Sequence, residues 1–250
     1  MTVNGIKITN VEGEGCGGVC NIAEALKRSL NTSYYRLMLK LKNGPQDVAD
    51  AAHRAGVAES FPPGVEHTLS EDGKGGPPNN GIVLGQYQSR VVDMASAYAT
   101  LADSGVYHKP HFVQKVVDAD GKVLFDASQQ DNSGEQRIDK AVADNVTAAM
   151  QPIAGWSRGH NLAGGGRASA AKTGTNQLGD TGANRDAWMV GYTPSLSTAV
   201  WVGTTSGTKP LVNEWADRCT GPGCRPTSGR PRWTVHSRAP TTRPSPSDRD

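Results

Sequence analysis

Four consecutive residues in the last third of the sequence combine one cation with two hydroxyl groups: Lys172, Thr173, Gly174 and Thr175. A lysine ammonium could hold a substrate carboxylate, and threonine hydroxyls could donate hydrogen bonds to the same group. The glycine between the threonines would let an extended ligand approach the backbone closely. A lysine on a strand edge is more often only a solvated charge, so its wider context decides whether this is a site.

A hydroxyl and an amide lie two residues apart much earlier in the chain, at Ser29 and Asn31. Apolar residues keep a helical period through this region, at Ile22, Leu26, Leu30, Tyr34, Leu37 and Leu41. In one continuous helix the side chains of Ser29 and Asn31 would lie about 200° apart and could not serve one site. If one helix ends near Arg28 and the next begins with Asn31 or Thr32 as its cap, both side chains could face one cleft. The pattern of apolar residues favours the continuous helix.

The segment that contains Lys172 has the pattern of three short strands. Residues 170–175, 187–192 and 198–202 are rich in β-branched, aromatic and small side chains. Turn-forming residues separate them, with a Gly/Asp/Asn-rich stretch after the first strand and Pro194 after the second. The sequence therefore predicts an antiparallel meander that carries Lys172 on its first strand.

Helical and strand patterns alternate along the rest of the chain. A first helix follows Asn21, which forms a capping-box pattern with Glu24, and Asp93 is the predicted cap of a later one. Further helices are predicted over residues 45–55, 93–102 and 139–150. Strand patterns cover residues 3–11, 111–117 and 122–125, the last two as a hairpin. Residues 61–81 have the composition of a long polar loop, and the whole pattern is that of an α+β protein.

Two stretches taken together resemble a known family. The tetrapeptide beginning at Lys172 is followed by a DAWMVGYTP strand and a WVG strand, as in the third motif of penicillin-binding proteins and serine β-lactamases. The stretch ALKRSLNTSYYRL, which contains Ser29 and Asn31, resembles the S-x-N segment that joins two helices in class A penicillin-binding proteins. The resemblance covers roughly residues 4–212 and is nearest to bifunctional enzymes of the mycobacterial type.

The resemblance implies a fold and a reaction. The fold would be α+β, a serine β-lactamase/transpeptidase-like antiparallel sheet flanked by helices, truncated at both ends. The complete enzyme would be a D,D-transpeptidase that cross-links peptidoglycan. Its serine would be acylated by a D-Ala-D-Ala stem peptide with release of D-Ala, and the acyl group would pass to a neighbouring stem amine. β-Lactams would trap the same serine, and no cofactor is implied.

The resemblance also implies a role for each candidate residue. Ser29 would relay a proton to or from the leaving group, and Asn31 would hold the amide of the substrate. Lys172 would set the electrostatic field at Ser29 and at the substrate carboxylate. Thr173 and Thr175 would bond that carboxylate, and the backbone of Thr175 would help to form the oxyanion site.

The sequence lacks the nucleophile motif of the family at its expected position. Family members carry a Ser-x-x-Lys motif ahead of the S-x-N motif, yet the 28 residues before Ser29 contain none. The literal match from Ser169 to Lys172 overlaps the predicted strand, where residues three apart point to opposite faces. Ser169 is therefore not the nucleophile, and the chain by itself is predicted to be inactive.

The C-terminal segment has a different composition from the rest. Residues 216–250 contain no Leu, Ile or Phe, but seven Arg and six Pro, so they cannot bury enough surface to order themselves. Another reading frame of suitable codons could encode GPVYGSGLPSDIWKATMDGALK, which resembles the family's usual ending. We therefore expect a partial transpeptidase domain over residues 1–212 and a disordered tail over 213–250 that arises from a frameshift. A true basic, Pro-rich tail that binds an acidic surface is the alternative.

Overall charge and hydropathy limit the partners. A formal net charge of +2 does not favour nucleic acid, and no run of 18 apolar residues predicts a membrane span. The N-terminus has no export signal pattern. By resemblance, the partners are peptidoglycan stem peptides and β-lactams. The parent protein would be anchored in the plasma membrane through its missing N-terminal part, with this domain outside the cytoplasm.

Cysteine and histidine positions give little support for a metal site. Cys16 and Cys20 lack the C-x2-C spacing of a zinc ribbon, no His follows at finger spacing, and the two could form a local disulfide or remain free thiols. The second pair, Cys219 and Cys224, also lacks the C-x2-C spacing. The six histidines are scattered, so no metal is predicted.

Three other functions compete with the transpeptidase interpretation. Residues 13–18 form a literal G-x-G-x-x-G between a predicted strand and a helix, which would suit a nucleotide-binding protein. No second strand ending in an acidic residue follows at the required distance, so a simple turn is favoured. A non-catalytic cell-wall-binding module could use the same elements as the transpeptidase. A free-standing β-lactamase is disfavoured because no E-x-x-x-N segment lies between Asn31 and Lys172.

Overall fold

Helices and short strands alternate along the first two thirds of the chain, and three long strands follow them. The computed structural model describes residues 1–3, 5–10, 14–131, 133–157, 167–179, 181–204 and 206–212. In chain order, its strands and α-helices are β1 (Thr2–Val3), β2 (Ile6–Lys7), α1 (Ile22–Lys27), α2 (Asn31–Met38), α3 (Pro45–Ala55), α4 (Val91–Ala102), β3 (Val106–Tyr107), β4 (Lys115–Val117), β5 (Val123–Asp126), β6 (Glu135–Gln136), α5 (Lys140–Met150), α6 (Ile153–Trp156), β7 (Ala170–Gln177), β8 (Asn184–Thr193) and β9 (Leu196–Gly203).

The three long strands form the predicted antiparallel meander. Strand β8 lies between β7 and β9. In the register of β7 and β8, Lys172 lies opposite Val190 and Gly174 lies opposite Trp188. Each strand is longer than predicted, because main-chain pairing continues into polar residues at the strand ends, such as Asn184. Among the described residues β9 pairs only with β8, and its Trp201 and Val202 are exposed.

Helices cover one face of this sheet. Helix α4 packs against β8 and β9, whereas α5 and α6 pack against β7. The core between them contains Met150, Ile153, Ala170 and Tyr192, all buried. The Tyr192 hydroxyl lies 2.7 Å from the Thr147 hydroxyl, so its polar end has a partner. Burial of a side chain as large as Ile153 contributes about 1.5–3 kcal/mol, so this core fixes β7 relative to α5 and α6.

A second core lies under α2 and α3. It contains Tyr35, Met38, Ala49 and Ile82, the last from a 3₁₀ turn at Asn80–Leu84. Helix α3 has the predicted limits, with Pro45 at its first turn and Gly56, at φ 127°, at its end. This core anchors α2, which begins two residues after Ser29.

Two helix starts differ from the predicted ones in detail. The predicted helix over residues 139–150 begins at Lys140, and Asp139 is its N-cap, because its Oδ1 accepts hydrogen bonds from the backbone N–H groups of Ala141 and Val142. The prediction that Asp93 caps α4 was wrong, because the helix begins at Val91 and Asp93 lies inside its first turn. There the buried carboxylate accepts two hydrogen bonds from Arg90, at 2.8 and 3.0 Å.

The predicted strand over residues 3–11 was also wrong. Strands β1 and β2 form a small antiparallel hairpin, and Gly5 lies in its turn with φ 79°. An Asn-Gly pair at positions 4 and 5 is a hairpin signal that alternation alone had concealed. The described residues 8–10 are not in a strand, and residues 11–13 lie outside the described part.

The other predicted elements are shorter or simpler than expected. The hairpin of β4 and β5 is present but begins at Lys115 rather than at residue 111. A disulfide joins Cys16 and Cys20, so the oxidised alternative applies, whereas Cys219 and Cys224 lie in the tail outside the described residues. None of the described helices has the length and hydrophobicity that a membrane crossing requires. Within the same ranges, no three His, Cys, Asp or Glu side chains converge as metal ligands would.

Candidate active site

The junction between α1 and α2 holds Ser29 in a left-handed conformation. The backbone N–H of Ser29 donates to the carbonyl of Leu26, and that of Leu30 donates to the carbonyl of Ala25, both at 2.9 Å. This pair of bonds is a Schellman motif, which ends a helix and requires a positive φ at the residue that Ser29 occupies. Ser29 has φ 55°, an unfavourable angle for a residue with a Cβ atom.

The apolar periodicity that favoured one continuous helix was therefore misleading. Leu30 continues the helical period in the sequence, yet in the structure it is an extended residue between two helices and is 3% exposed. Its burial beside the end of α1 is the hydrophobic contact that accompanies a Schellman motif. The predicted caps were one or two residues late, because Leu30 itself is the N-cap position and Asn31 is the first residue of α2.

Lys172 meets Ser29 across 143 positions of sequence. The Lys172 Nζ donates to Ser29 Oγ at 2.9 Å and to the carbonyl of Thr173 at 3.0 Å. Strand β7 and the α1–α2 junction thus come together at one point, held there by the core that α5 and α6 build beneath β7.

Burial changes the acidity of this lysine. Removal of the ammonium group from water disfavours its charged form, which lowers the pKa of Lys172 to about 8. At neutral pH the group is still mostly protonated, so it can donate to Ser29 and attract an anion. Because its pKa lies near the working pH, it can also exchange a proton with a neighbouring hydroxyl.

The next three residues of β7 extend the site along the strand. Thr173 is partly buried and Thr175 is exposed, while β7 has a strand neighbour, β8, on one side only among the described residues. Packing also favours glycine at position 174, because an added Cβ atom would lie 3.1 Å from the Cβ of Trp188. Such an edge can bind an extended peptide by its main chain, with hydroxyl donors beside it.

Asn31 lies at the same helix junction, but the contact it makes is with the N-terminal segment. Its Nδ2 donates to the carbonyl of Thr9 at 3.0 Å. The structure therefore brings Ser29 and Lys172 into direct contact, places Thr173, Gly174 and Thr175 on the same strand, and fixes Asn31 two residues from Ser29. The contacts of residues 9 and 10 with α2 were missed from sequence, since no local pattern links positions 22 apart.

A large cavity opens beside Lys172 on the face of the sheet that α4 faces. Its volume is about 760 Å³, and its apolar lining includes Val91, Met94, Tyr98, Trp188, Val190 and Trp201. Lys172 belongs to the lining, whereas Ser29 and Asn31 do not. Lys172 therefore lies between the cavity on one side and the Ser29 hydroxyl on the other.

A second literal Ser-x-x-Lys match, from Ser206 to Lys209, is not a helical motif either. It follows β9 in a turn that the backbone N–H of Gly207 closes on Thr204 at 3.1 Å, and Gly207 has φ 60°. A serine and a lysine in such a turn do not share a helix face, so this match does not supply the expected nucleophile.

The Gly-rich turn before α1 does not have the geometry of a dinucleotide site. The strands before it form an antiparallel hairpin, not the first strand of a parallel βαβ unit. Asn21 already caps α1 by accepting from the N–H of Glu24 at 2.8 Å. The carboxylate of Glu24 lies in the first turn of this helix, where a pyrophosphate would bind. The carbonyl of Gly15 accepts from Arg28, and Gly13 lies outside the described residues.

The described residues form an antiparallel sheet packed against helices, and a lysine of strand β7 is bonded to a serine at a helix junction. This combination fits the class of penicillin-binding transpeptidases. The chain belongs to the family described as penicillin binding protein transpeptidase domain, whose sequence pattern matches residues 2–215.

Individual relatives place it more closely within that family. Penicillin-binding protein 1A of Mycolicibacterium smegmatis is 83% identical over 223 residues, 89% of this chain and 28% of that protein. Penicillin-binding protein 1A of Mycobacterium tuberculosis is 82% identical over 212 residues, 85% of this chain and 26% of that protein. The solved structure of the PonA1 protein from Mycobacterium tuberculosis in complex with penicillin V has a TM-score of 0.84 at 78% identity, covering 89% of this chain and 57% of that chain. The chain thus spans about a quarter of the length of these curated relatives.

Proposed function

We propose that this chain forms the substrate-binding part of a peptidoglycan D,D-transpeptidase that acts on D-Ala-D-Ala stem peptides. The observation that carries the proposal is the 2.9 Å contact between Lys172 and Ser29, two groups that the family's motifs contain and that the sequence separates widely. Membership of the transpeptidase family supports the reaction class.

Each side chain then has a task that its position supports. The ammonium of Lys172 and the hydroxyls of Thr173 and Thr175 would bind the terminal carboxylate of the stem peptide. Ser29 would pass a proton to the departing D-Ala amine, since its hydroxyl already accepts a hydrogen bond from Lys172. The bond from Asn31 Nδ2 to Thr9 fixes the amide plane, so the Oδ1 of Asn31 would accept from the substrate N–H.

The serine that attacks the substrate carbonyl would come from outside these 250 residues. Neither literal Ser-x-x-Lys match has a helical geometry, since Lys172 lies in strand β7 and Ser206 lies in a turn. Without that serine no acyl-enzyme can form, so the chain alone would bind substrate without turning it over. In the complete protein we propose an extracytoplasmic domain anchored in the plasma membrane, with β-lactams as inhibitors, as the penicillin V complex of PonA1 suggests.

Labelling with a fluorescent penicillin tests this division of tasks. The chain alone should show no covalent label. A chimera of PonA1 in which residues 1–212 replace the matching segment should be labelled and should release D-Ala from a stem peptide. A label that maps to any serine of the isolated chain would contradict the proposal.

The same chimera distinguishes a transpeptidase from the competing function, a non-catalytic cell-wall-binding module. A cell-wall-binding module would bind stem peptide in both proteins without any turnover or covalent label. Absence of binding to the chain and absence of labelling in a folded chimera would refute both interpretations.

A further inference from the structure

The segment just before the Gly-rich turn lies against the start of α2. Asn10 Oδ1 accepts two hydrogen bonds from Thr32, one from its backbone N–H at 3.0 Å and one from its Oγ1 at 3.1 Å. The neighbouring carbonyl of Thr9 accepts from Asn31 Nδ2 at 3.0 Å. The first two residues of α2 are therefore both bonded to residues that lie 22 positions earlier.

These contacts supply what the local sequence of α2 lacks. The first backbone N–H groups of a helix have no partner within the helix and usually receive one from the side chain at the N-cap position. That position is occupied by Leu30, which has no side-chain acceptor. Asn10 provides the missing acceptor from a distant part of the chain, at the N–H of the second helical residue.

The capping side chain is itself held in place. Asn10 Nδ2 donates to the carbonyl of Glu14 at 2.8 Å, so both ends of its amide are bonded. The carbonyl of the next residue, Gly15, accepts from Arg28 Nη1 at 3.3 Å. Arg28, just before Ser29, and the first two residues of α2 are thus all bonded to this N-terminal segment, which holds the left-handed junction from two sides.

We propose that Asn10 is a positioning residue for transpeptidation, which caps α2 from outside the helix and so keeps Ser29 beside Lys172 and Asn31 at the same junction. The inference rests on the proposed function for its consequence in catalysis, but not for its structural part. Asn10 does not touch the substrate; it acts through the helix start that carries Asn31 and adjoins Ser29.

The test uses the full 250-residue chain and compares Asn10→Ala with a matched control, Asn43→Ala. Asn43 also makes a side-chain bond at a helix start, from its Nδ2 to Asp47 Oδ1 at 2.8 Å, but at α3. Three quantities are measured: hydrogen exchange of the Thr32 amide, the NMR titration of Lys172 Nζ, and the affinity for a peptide ending in D-Ala-D-Ala.

Asn10→Ala should lower the Tm by about 2–4 °C, as the loss of one capping interaction does in a domain of this size, and Asn43→Ala by no more than that, because its bond joins two side chains. Only Asn10→Ala should speed exchange at Thr32, weaken peptide binding about tenfold, and shift the Lys172 pKa from about 8 towards the ordinary lysine value of about 10.4. The reason is that a displaced junction would expose the ammonium group to water. Asn10→Asp keeps an acceptor for Thr32 and should restore slow exchange there.

Equal effects of the two variants on Lys172 and on peptide affinity would reduce Asn10 to an ordinary structural residue and overturn the proposal. If Asn10→Ala does not fold, Thr32→Val decides, because it removes one of the two bonds to Asn10 and should move the same quantities in the same direction by a smaller amount. No movement in Thr32→Val would also overturn the proposal. If the unmodified chain does not bind the peptide, the proposed function fails, while Thr32 exchange and the Lys172 titration still judge Asn10.

Discussion

Two helices of this molecule end in the same way but with different residues. Helix α1 ends with bonds from Ser29 to Leu26 and from Leu30 to Ala25, and α3 ends with the equivalent bonds from Gly56 to His53 and from Val57 to Ala52. In both cases a buried aliphatic residue follows, Leu30 or Val57. The residue with positive φ is glycine at the end of α3 and serine at the end of α1.

The difference bears on the role proposed for Ser29. At position 56 any side chain would collide with its surroundings, because an added Cβ atom would lie 2.9 Å from Tyr107 Cε2 and 3.0 Å from Ser96 Oγ. At position 29 a side chain is present despite the conformational cost of about 1–2 kcal/mol, and its hydroxyl meets Lys172. Backbone strain of this kind clusters at functional sites, which supports the role proposed for Ser29.

Placing a serine at the structural helix end should have the largest effect on stability. Gly56→Ser combines an unfavourable backbone angle with overpacking against Tyr107, so we expect a loss of about 2–6 kcal/mol in the free energy of unfolding, measured by urea denaturation. Gly85→Ser is the control, since Gly85 has φ 83° with nothing near its missing Cβ, and it should lose only about 1–2 kcal/mol. Equal losses would show that contact with Tyr107 does not distinguish the α3 end.

At the α1 end, the contact of Ser29 with Lys172 leads to a prediction for the pH dependence of ligand binding. Below pH 8 Lys172 is protonated and attracts a carboxylate, and above its pKa of about 8 it becomes neutral. The affinity for a D-Ala-D-Ala peptide should therefore fall as pH rises, by up to about fivefold between pH 8 and pH 9. Calorimetric titration of the chain and of Lys172→Met checks this, and a pH dependence that survives in Lys172→Met would assign it to another group.

The reverse exchange, Ser29→Gly, should have the smallest effect on stability. Glycine relieves the left-handed strain but increases the entropy of the unfolded chain, so the free energy of unfolding should stay within about 1 kcal/mol of the original or rise. Urea denaturation of both proteins measures it. A loss of 2 kcal/mol or more would mean that the Ser29 side chain is part of the structure and that the two helix ends are alike.

The long elements of this fold follow from local chemistry. The β7–β9 meander, α3 with Pro45 and Gly56, and α5 could be predicted because the side-chain pattern and the residues at the ends agree along each segment. The prediction for Asp93 was wrong because a carboxylate near a helix start has two partners to choose from, and Arg90 competes with the backbone.

The site was less accessible to local patterns. Periodicity predicted one helix across Ser29, since Leu30 is buried both in a continuous helix and in a Schellman motif. The resemblance of Ser29, Asn31 and Lys172 to family motifs indicated the break, but only the tertiary structure brings Lys172 to Ser29. Asn10 could not be predicted at all, because its bond to Thr32 joins two segments whose sequences show no shared pattern.

The acylation rate of the PonA1 chimera tests most directly whether Ser29 is held in its strained position for chemistry. With the Ser29→Gly substitution, acylation by a fluorescent penicillin should slow about 10²-fold or more, while the free energy of unfolding falls by no more than about 1 kcal/mol. Acylation of Ser29→Gly at the rate of the unsubstituted chimera would contradict it.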